Sequence, residues 1–158
     1  MNHTGSSEAT LRILEQDRAS IVDAACESMR HSRTRYESTG EEETRRRFET
    51  LYGELLGALA SHDLGSVIDY AGHLGAQRFA SGYDLSDVQA AFNALEEAAW
   101  SGLSARLQPE QLALSLGLVS TVLGAAKDAL AREYVSLASR SHAPSLDLRA
   151  LFTGDAGA

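Results

Sequence analysis

The stretch "ALASHDLGSVIDYAGHLG", residues 58–75, decides the fold. Its adjacent His62 and Asp63 read either as a metal-holding pair or as the junction between two helices. Helical phase favours the junction. Asp63 stands where a carboxylate caps a helix start, and from Leu64 the apolar residues Val67, Ile68, Ala71, Leu74 and Phe79 recur at three- and four-residue steps. Stepping about 100° per residue from Leu64 puts His73 about 180° away, on the face turned to solvent.

Downstream, Gly82 reads as the left-handed stop of that helix, and "GYDLSDVQAAF", residues 82–92, opens the next. Asp84 is placed to cap it, Asp87 follows three residues on, and Tyr83 can staple onto Val88. Val88, Phe92, Leu95, Ala99 and Leu103 carry its stripe. Pro109 starts a last helix, at the position where a missing N–H costs nothing, and the pattern runs to about Arg140. Leu112, Leu116, Val119, Leu123, Ala126, Leu130 and Leu137, with Tyr134 beside them, line a rod roughly 48 Å long.

Upstream, a helix over 41–60 buries Phe48, Leu51, Leu55, Leu56 and Leu59. Its opening "EEETRRR" places Glu41, Glu42 and Glu43 four residues before Arg45, Arg46 and Arg47. Each such pair is worth about 0.2–0.5 kcal/mol, so the run is expected to be a solvated, self-paired face. A first helix is expected from Ser6 or Ser7 to about Tyr36, with Leu11, Leu14, Ile21, Val22, Ala25 and Met29 inward.

The chain of 158 residues is long enough for one domain with a sizeable core. With 44% apolar but 6% aromatic residues and two prolines, it favours helices, and no alternating β-run bounded by turn residues occurs. The expected fold is all-α: a single-domain antiparallel bundle of about five helices, with globin-like helical packing as the alternative. Residues 1–6 read as a flexible N-terminus, 7–140 as the helical domain, and 141–158 as a tail or linker carrying Leu146, Leu148, Leu151 and Phe152. A net charge of −8 argues against nucleic acid as a partner. The lone Cys26 permits no intramolecular disulfide and reads as a small buried hydrophobe. No signal-peptide pattern opens the chain, and no apolar run approaches the roughly 18 residues of a membrane span, so a cytoplasmic, soluble protein is expected.

Metal chemistry is the sharpest alternative. HD-type phosphohydrolases hold divalent metal with such a His-Asp word, and His31 before it and Asp128 after it would complete a set with His62 and Asp63. The local pattern departs from theirs: "ALAS" precedes the pair and Ser66 stands where their lysine would be. Haem would need an inward-facing histidine, which neither His62 nor His73 offers by phase. Phosphate loops, nucleophile elbows, Cys-His pairs at helical spacing and Glu-x-x-His words are missing, so no catalytic residue and no cofactor is assigned. Adjacent Glu96 and Glu97 diverge by about 100° and read as solvated. Trp100 lies one residue off its helix's stripe among Ala98, Ala99 and Gly102; core packing is the plain reading, and a ligand or interface role the other, as for Tyr70 and Tyr83. A small-molecule or tetrapyrrole sensor is the corresponding third function.

From Phe48 to Trp100 the sequence "LLGALASHDLGSVIDYAGHLGAQRFASGYDLSDVQAAFNALEEAAW" resembles the N-terminal helical domain of RsbRD-type RsbT co-antagonists, the input half of bacterial stress-signalling regulators. The matching steps are Leu55–Ala60, Ala71–Phe79, Gly82–Tyr83 and Leu85–Val88, and "RASIVDAACESM" at 18–29 is similar to the family's first helix. The resemblance implies a non-enzymatic sensory or protein-interaction module that works through helix packing. Its partner would be another protein or a second copy of the chain, and its signal a small molecule. No output activity is expected, because only a short tail follows Arg140.

Overall fold

The computed structural model describes residues 3–32 and 40–142, and among them are six helices and no strand. These are α1 (His3–Gln16), α2 (Arg18–His31), α3 (Glu41–Ser61), α4 (Gly65–Ala80), α5 (Leu85–Arg106) and α6 (Pro109–His142). The all-α bundle expected from the periodicity is therefore the fold. α6 packs along α4 and α5, α5 on α2, α2 on α3 and α3 on α4, which closes a ring; α1 lies against α3, α5 and α6. Leu14, Val22, Leu55, Val67, Leu95 and Leu123 are fully buried inside it. Two helix pairs approach closely at a glycine. A Cβ on Gly75 of α4 would lie 3.1 Å from Glu133 Cβ on α6, and one on Gly102 of α5 would lie 3.0 Å from Ile21 Cδ1 on α2.

The expected first helix is two helices. It breaks at Asp17 (φ −96°, ψ 12°), although Asp17 N–H still donates to the Ile13 carbonyl at 2.9 Å and Ile21 N–H to the Asp17 carbonyl at 3.0 Å. A helix end leaves its last carbonyls without intrahelical donors. Tyr52 of α3 supplies one, its hydroxyl donating to the Leu14 carbonyl at 2.7 Å. Arg106 of α5 clamps the same corner, reaching Asp17 Oδ1 and Gln16 Oε1 at 3.1 Å each. Because the break inserts no residue, Leu14 and Ile21 stay a heptad apart and the apolar pattern runs through it unmarked. At the other end, α1 begins at His3, inside the stretch read as flexible. Residues 33–36, the end of the expected first helix, and the tail from 143 lie outside the described residues.

Thr10 of α1 and Ser115 of α6 are buried, and their hydroxyl oxygens lie 2.6 Å apart. One hydroxyl therefore satisfies the other across the bundle, with the Ser6 and Gln111 carbonyls 2.7 Å and 3.1 Å away as local acceptors.

Over Pro109–Ser141, α6 is long and apolar enough to cross a membrane by length and composition, which corrects the reading that no run approaches that length. Its inward residues Val119, Leu123, Ala126 and Leu130 are fully buried against the other helices.

Candidate functional site

At the His-Asp pair, α3 ends on His62 in the left-handed conformation (φ 56°, ψ 32°). Asp63 then accepts a hydrogen bond on Oδ1 from the Gly65 N–H at 2.8 Å within the turn, but the cap position of α4 is Leu64, one residue beyond the expected Asp63, and it carries no side-chain cap bond. The pair is the corner itself. His31 lies exposed at the end of α2, its Nδ1 2.9 Å from the Glu27 carbonyl, and Asp128 is exposed on α6. No three His, Cys, Asp or Glu among the described residues gather as metal ligands, so His31, His62, Asp63 and Asp128 do not form the set the metal reading required. His73 is exposed, as its phase predicts, with Nδ1 2.7 Å from the Asp69 carbonyl.

The other end of α4 is richer. Gly82 (φ 76°) terminates it in a Schellman motif: Gly82 N–H donates to the Phe79 carbonyl and Tyr83 N–H to the Arg78 carbonyl, both at 3.0 Å. The 6→1 closure folds Tyr83 back onto Arg78, whose guanidinium carbon lies 5.8 Å from the ring centroid. Arg47 of α3 approaches the same ring at the same distance, 5.8 Å. Phe79 meets Tyr134 of α6 edge-on with centroids 5.6 Å apart, and the Tyr134 hydroxyl donates to the Tyr83 carbonyl at 3.0 Å. Beneath lies a recess of about 20 Å³ lined by Thr44, Arg47, Phe48, Tyr70, Arg78 and Phe92, among others. Tyr70 and Tyr83 thus share one cluster. Sequence reasoning singled out both but not Arg78, which the Gly82 stop and the geometry it imposes could have revealed.

Asp84 sits at the cap position of α5 (φ −70°, ψ 145°) but makes no side-chain cap bond, so the start expected there is set by backbone geometry alone. Trp100 does not pack into the core. It is 39% exposed, one of two large exposed hydrophobic residues among those described, with Val135 of α6 the other.

A family model for the N-terminal domain of the RsbT co-antagonist protein rsbRD matches residues 19–144. The chain belongs to that family. No curated protein and no solved structure matches it. The match spans α2 to α6 and carries the family's stress-signalling, regulatory character to this domain.

Two charged seams tie the helices of this RsbRD-type domain. Along α2 and α3, Arg18 pairs with Glu49 at 2.8 Å, Arg30 with Glu41 at 3.0 Å, and Arg45 with Asp23. Of the three expected pairs within 41–47, only Glu43–Arg47 forms, at 3.3 Å; Glu41 and Arg45 reach across instead. Between α5 and α6, Glu96 is largely buried rather than solvated. It meets Lys127 Nζ at 3.1 Å and accepts from Ser120 Oγ at 2.9 Å. Cys26 is buried as expected, and burial pushes its thiol pKa up, against the pull of Arg45. Such a thiol is held protonated and inert.

Proposed function

We propose that this chain is a non-enzymatic regulatory domain of bacterial stress signalling, spanning 7–140, that acts in the cytoplasm by binding protein partners and itself as a homodimer. The family match over 19–144 carries the reading. The exposed indole of Trp100 supports a protein interface on the outer face of α5, since tryptophan is among the residues that most often anchor interfaces. The net charge of −8 disfavours nucleic acid as the partner. A change in helix packing would pass along α6 to residues 141–158, which serve as linker or docking segment.

The test is the oligomeric state. Size-exclusion chromatography with light scattering at high micromolar concentration should give the mass of a dimer, and Trp100→Asp should shift it to the monomer. A monomer for the unaltered chain under those conditions removes the dimer from the proposal.

A further inference from the structure

α6 is more apolar than its place in the fold requires. Only 33% of the 18-residue stretch that gives it a membrane-like hydropathy is buried. Opposite the buried Val119, Leu123, Ala126 and Leu130, the residues Glu110, Gly117, Thr121, Asp128, Arg132 and Val135 are all exposed. At about 100° per residue these six fall within about 60° of one another, so they form one face along the rod. Gly117 and, at its edge, Gly124 have open space where a Cβ would lie. Glycine weakens a helix interior relative to alanine, and nothing within 4 Å in the protomer asks for it at either position. A missing Cβ does allow a helix from outside to approach closely.

Charge selects which helix. Glu110 and Arg132 stand eleven residues to either side of Thr121 on this face, about 33 Å apart. Neither makes an ion pair with a described residue. A second α6 laid antiparallel about a two-fold axis at Thr121 brings Glu110 of each chain to the partner's Arg132, satisfying both ends by one symmetry operation. The same register sets Leu118 over the partner's Gly124, a side chain against a gap. A parallel pair would instead oppose Glu110 to itself and Arg132 to itself. The exposed Trp100 borders this face: Glu96 of α5 reaches Ser120 of α6 at 2.9 Å, and Trp100 lies one turn farther along α5. A lipid surface fits less well, because interfacial helices present bulky apolar residues with basic flanks, whereas this face presents glycine, threonine and two carboxylates on a chain of net charge −8.

We propose that the outer face of α6 pairs antiparallel with α6 of a second copy about a two-fold axis at Thr121, with Glu110 of each chain on the partner's Arg132. This rests on the homodimer reading and adds the face and the register that it uses.

Disulfide trapping of the whole chain tests the register, with the unaltered protein, whose Cys26 is buried, as control. Thr121→Cys should oxidise to a covalent dimer, because residues on the axis come within disulfide reach. Val135→Cys should not, since antiparallel helices hold its two copies about 42 Å apart. A Val135→Cys cross-link means a parallel pair and overturns the proposal. No cross-link at Thr121→Cys, while the unaltered chain still has the mass of a dimer, overturns this face and leaves the homodimer reading standing; a monomeric unaltered chain removes both. Glu110→Arg and Arg132→Glu should each weaken the dimer by about tenfold, and the double variant should recover it, as two like-charge contacts become two attractive ones again. A double variant no tighter than the singles overturns the pairing. Co-sedimentation of the unaltered chain with phosphatidylcholine–phosphatidylglycerol vesicles, at the expense of the dimer, overturns it in favour of a lipid surface.

Discussion

Removing one oxygen atom tests how the break between α1 and α2 is held. Tyr52→Phe keeps the fully buried ring and its contact with the Arg18 guanidinium, 5.5 Å from the centroid, but deletes the hydroxyl that donates 2.7 Å to the Leu14 carbonyl. The carbonyl loses its donor where water does not reach the hydroxyl's site. A lost buried hydrogen bond with its acceptor stranded costs about 1–3 kcal/mol, and near the middle of that range the melting temperature falls by about 4–8 °C in a domain of this size. The same hydroxyl predicts a pH signature. Burial raises its pKa well above the usual tyrosine value, against the pull of Arg18. Below about pH 10 both folded and unfolded chains hold the proton and the contribution is complete; above it only the unfolded chain releases the proton. Stability therefore falls by about 1.4 kcal/mol per pH unit beyond that point, until the folded-state pKa is passed. Urea unfolding at pH 7, 9, 10 and 11, with the denaturant slope checked for constancy, measures both effects. The reasoning fails if Tyr52→Phe matches the unaltered protein within about 0.3 kcal/mol at pH 7, or shows the same extra steepness above pH 10.

Three further outcomes follow from the packing. Glu96→Gln keeps the shape but leaves Lys127 Nζ, 27% exposed, with weakened partners, and should cost about 1–2 kcal/mol by urea unfolding, less than a fully buried pair would. His62→Gly relieves a left-handed histidine and should raise stability by about 1 kcal/mol, while a neutral or destabilising result would mean that the imidazole makes a contact of its own there. Gly72→Ala, with open space where its Cβ would lie, should stabilise α4 by about 0.8–1.0 kcal/mol, and Gly75→Val, facing Glu133 Cβ, should destabilise by about 1–3 kcal/mol; calorimetry showing equal effects would deny the close approach of α4 and α6.

Local chemistry made the helix ends readable. Pro109, Gly82 and Asp63 each impose one backbone geometry, and the structure places a boundary at or beside all three. Apolar phase likewise found the buried side of every helix, because a residue's face depends only on its position along a regular rod. What depended on a second helix stayed hidden. The 41–47 run satisfies itself on paper, yet Glu41 and Arg45 turn to α2, which the spacing within one helix cannot show. Glu96 looked solvated until Lys127 and Ser120 arrived from α6, and Tyr52 gave no sign that a carbonyl 38 residues earlier would need its hydroxyl. Trp100 misled for the opposite reason. Size and apolarity suggested the core, but a position one residue off the stripe outweighed both. Arg78 was the costliest omission, since its significance comes only from Tyr83 folding back and Arg47 arriving from α3.

The corner that ends α4 and the end of α6 are joined by a short physical route. Tyr83 lies with its ring centroid 5.8 Å from the guanidinium carbons of Arg47 and Arg78, and its carbonyl accepts from the Tyr134 hydroxyl two turns before α6 ends at His142. Phe79, beside Arg78, packs edge-on against the same tyrosine. A rearrangement of Tyr83 must therefore either carry Tyr134 with it or break that bond. Tyr134→Phe deletes the hydroxyl and should lower stability by about 0.5–1.5 kcal/mol by urea unfolding. An unchanged stability would leave the Tyr134 contact as packing alone.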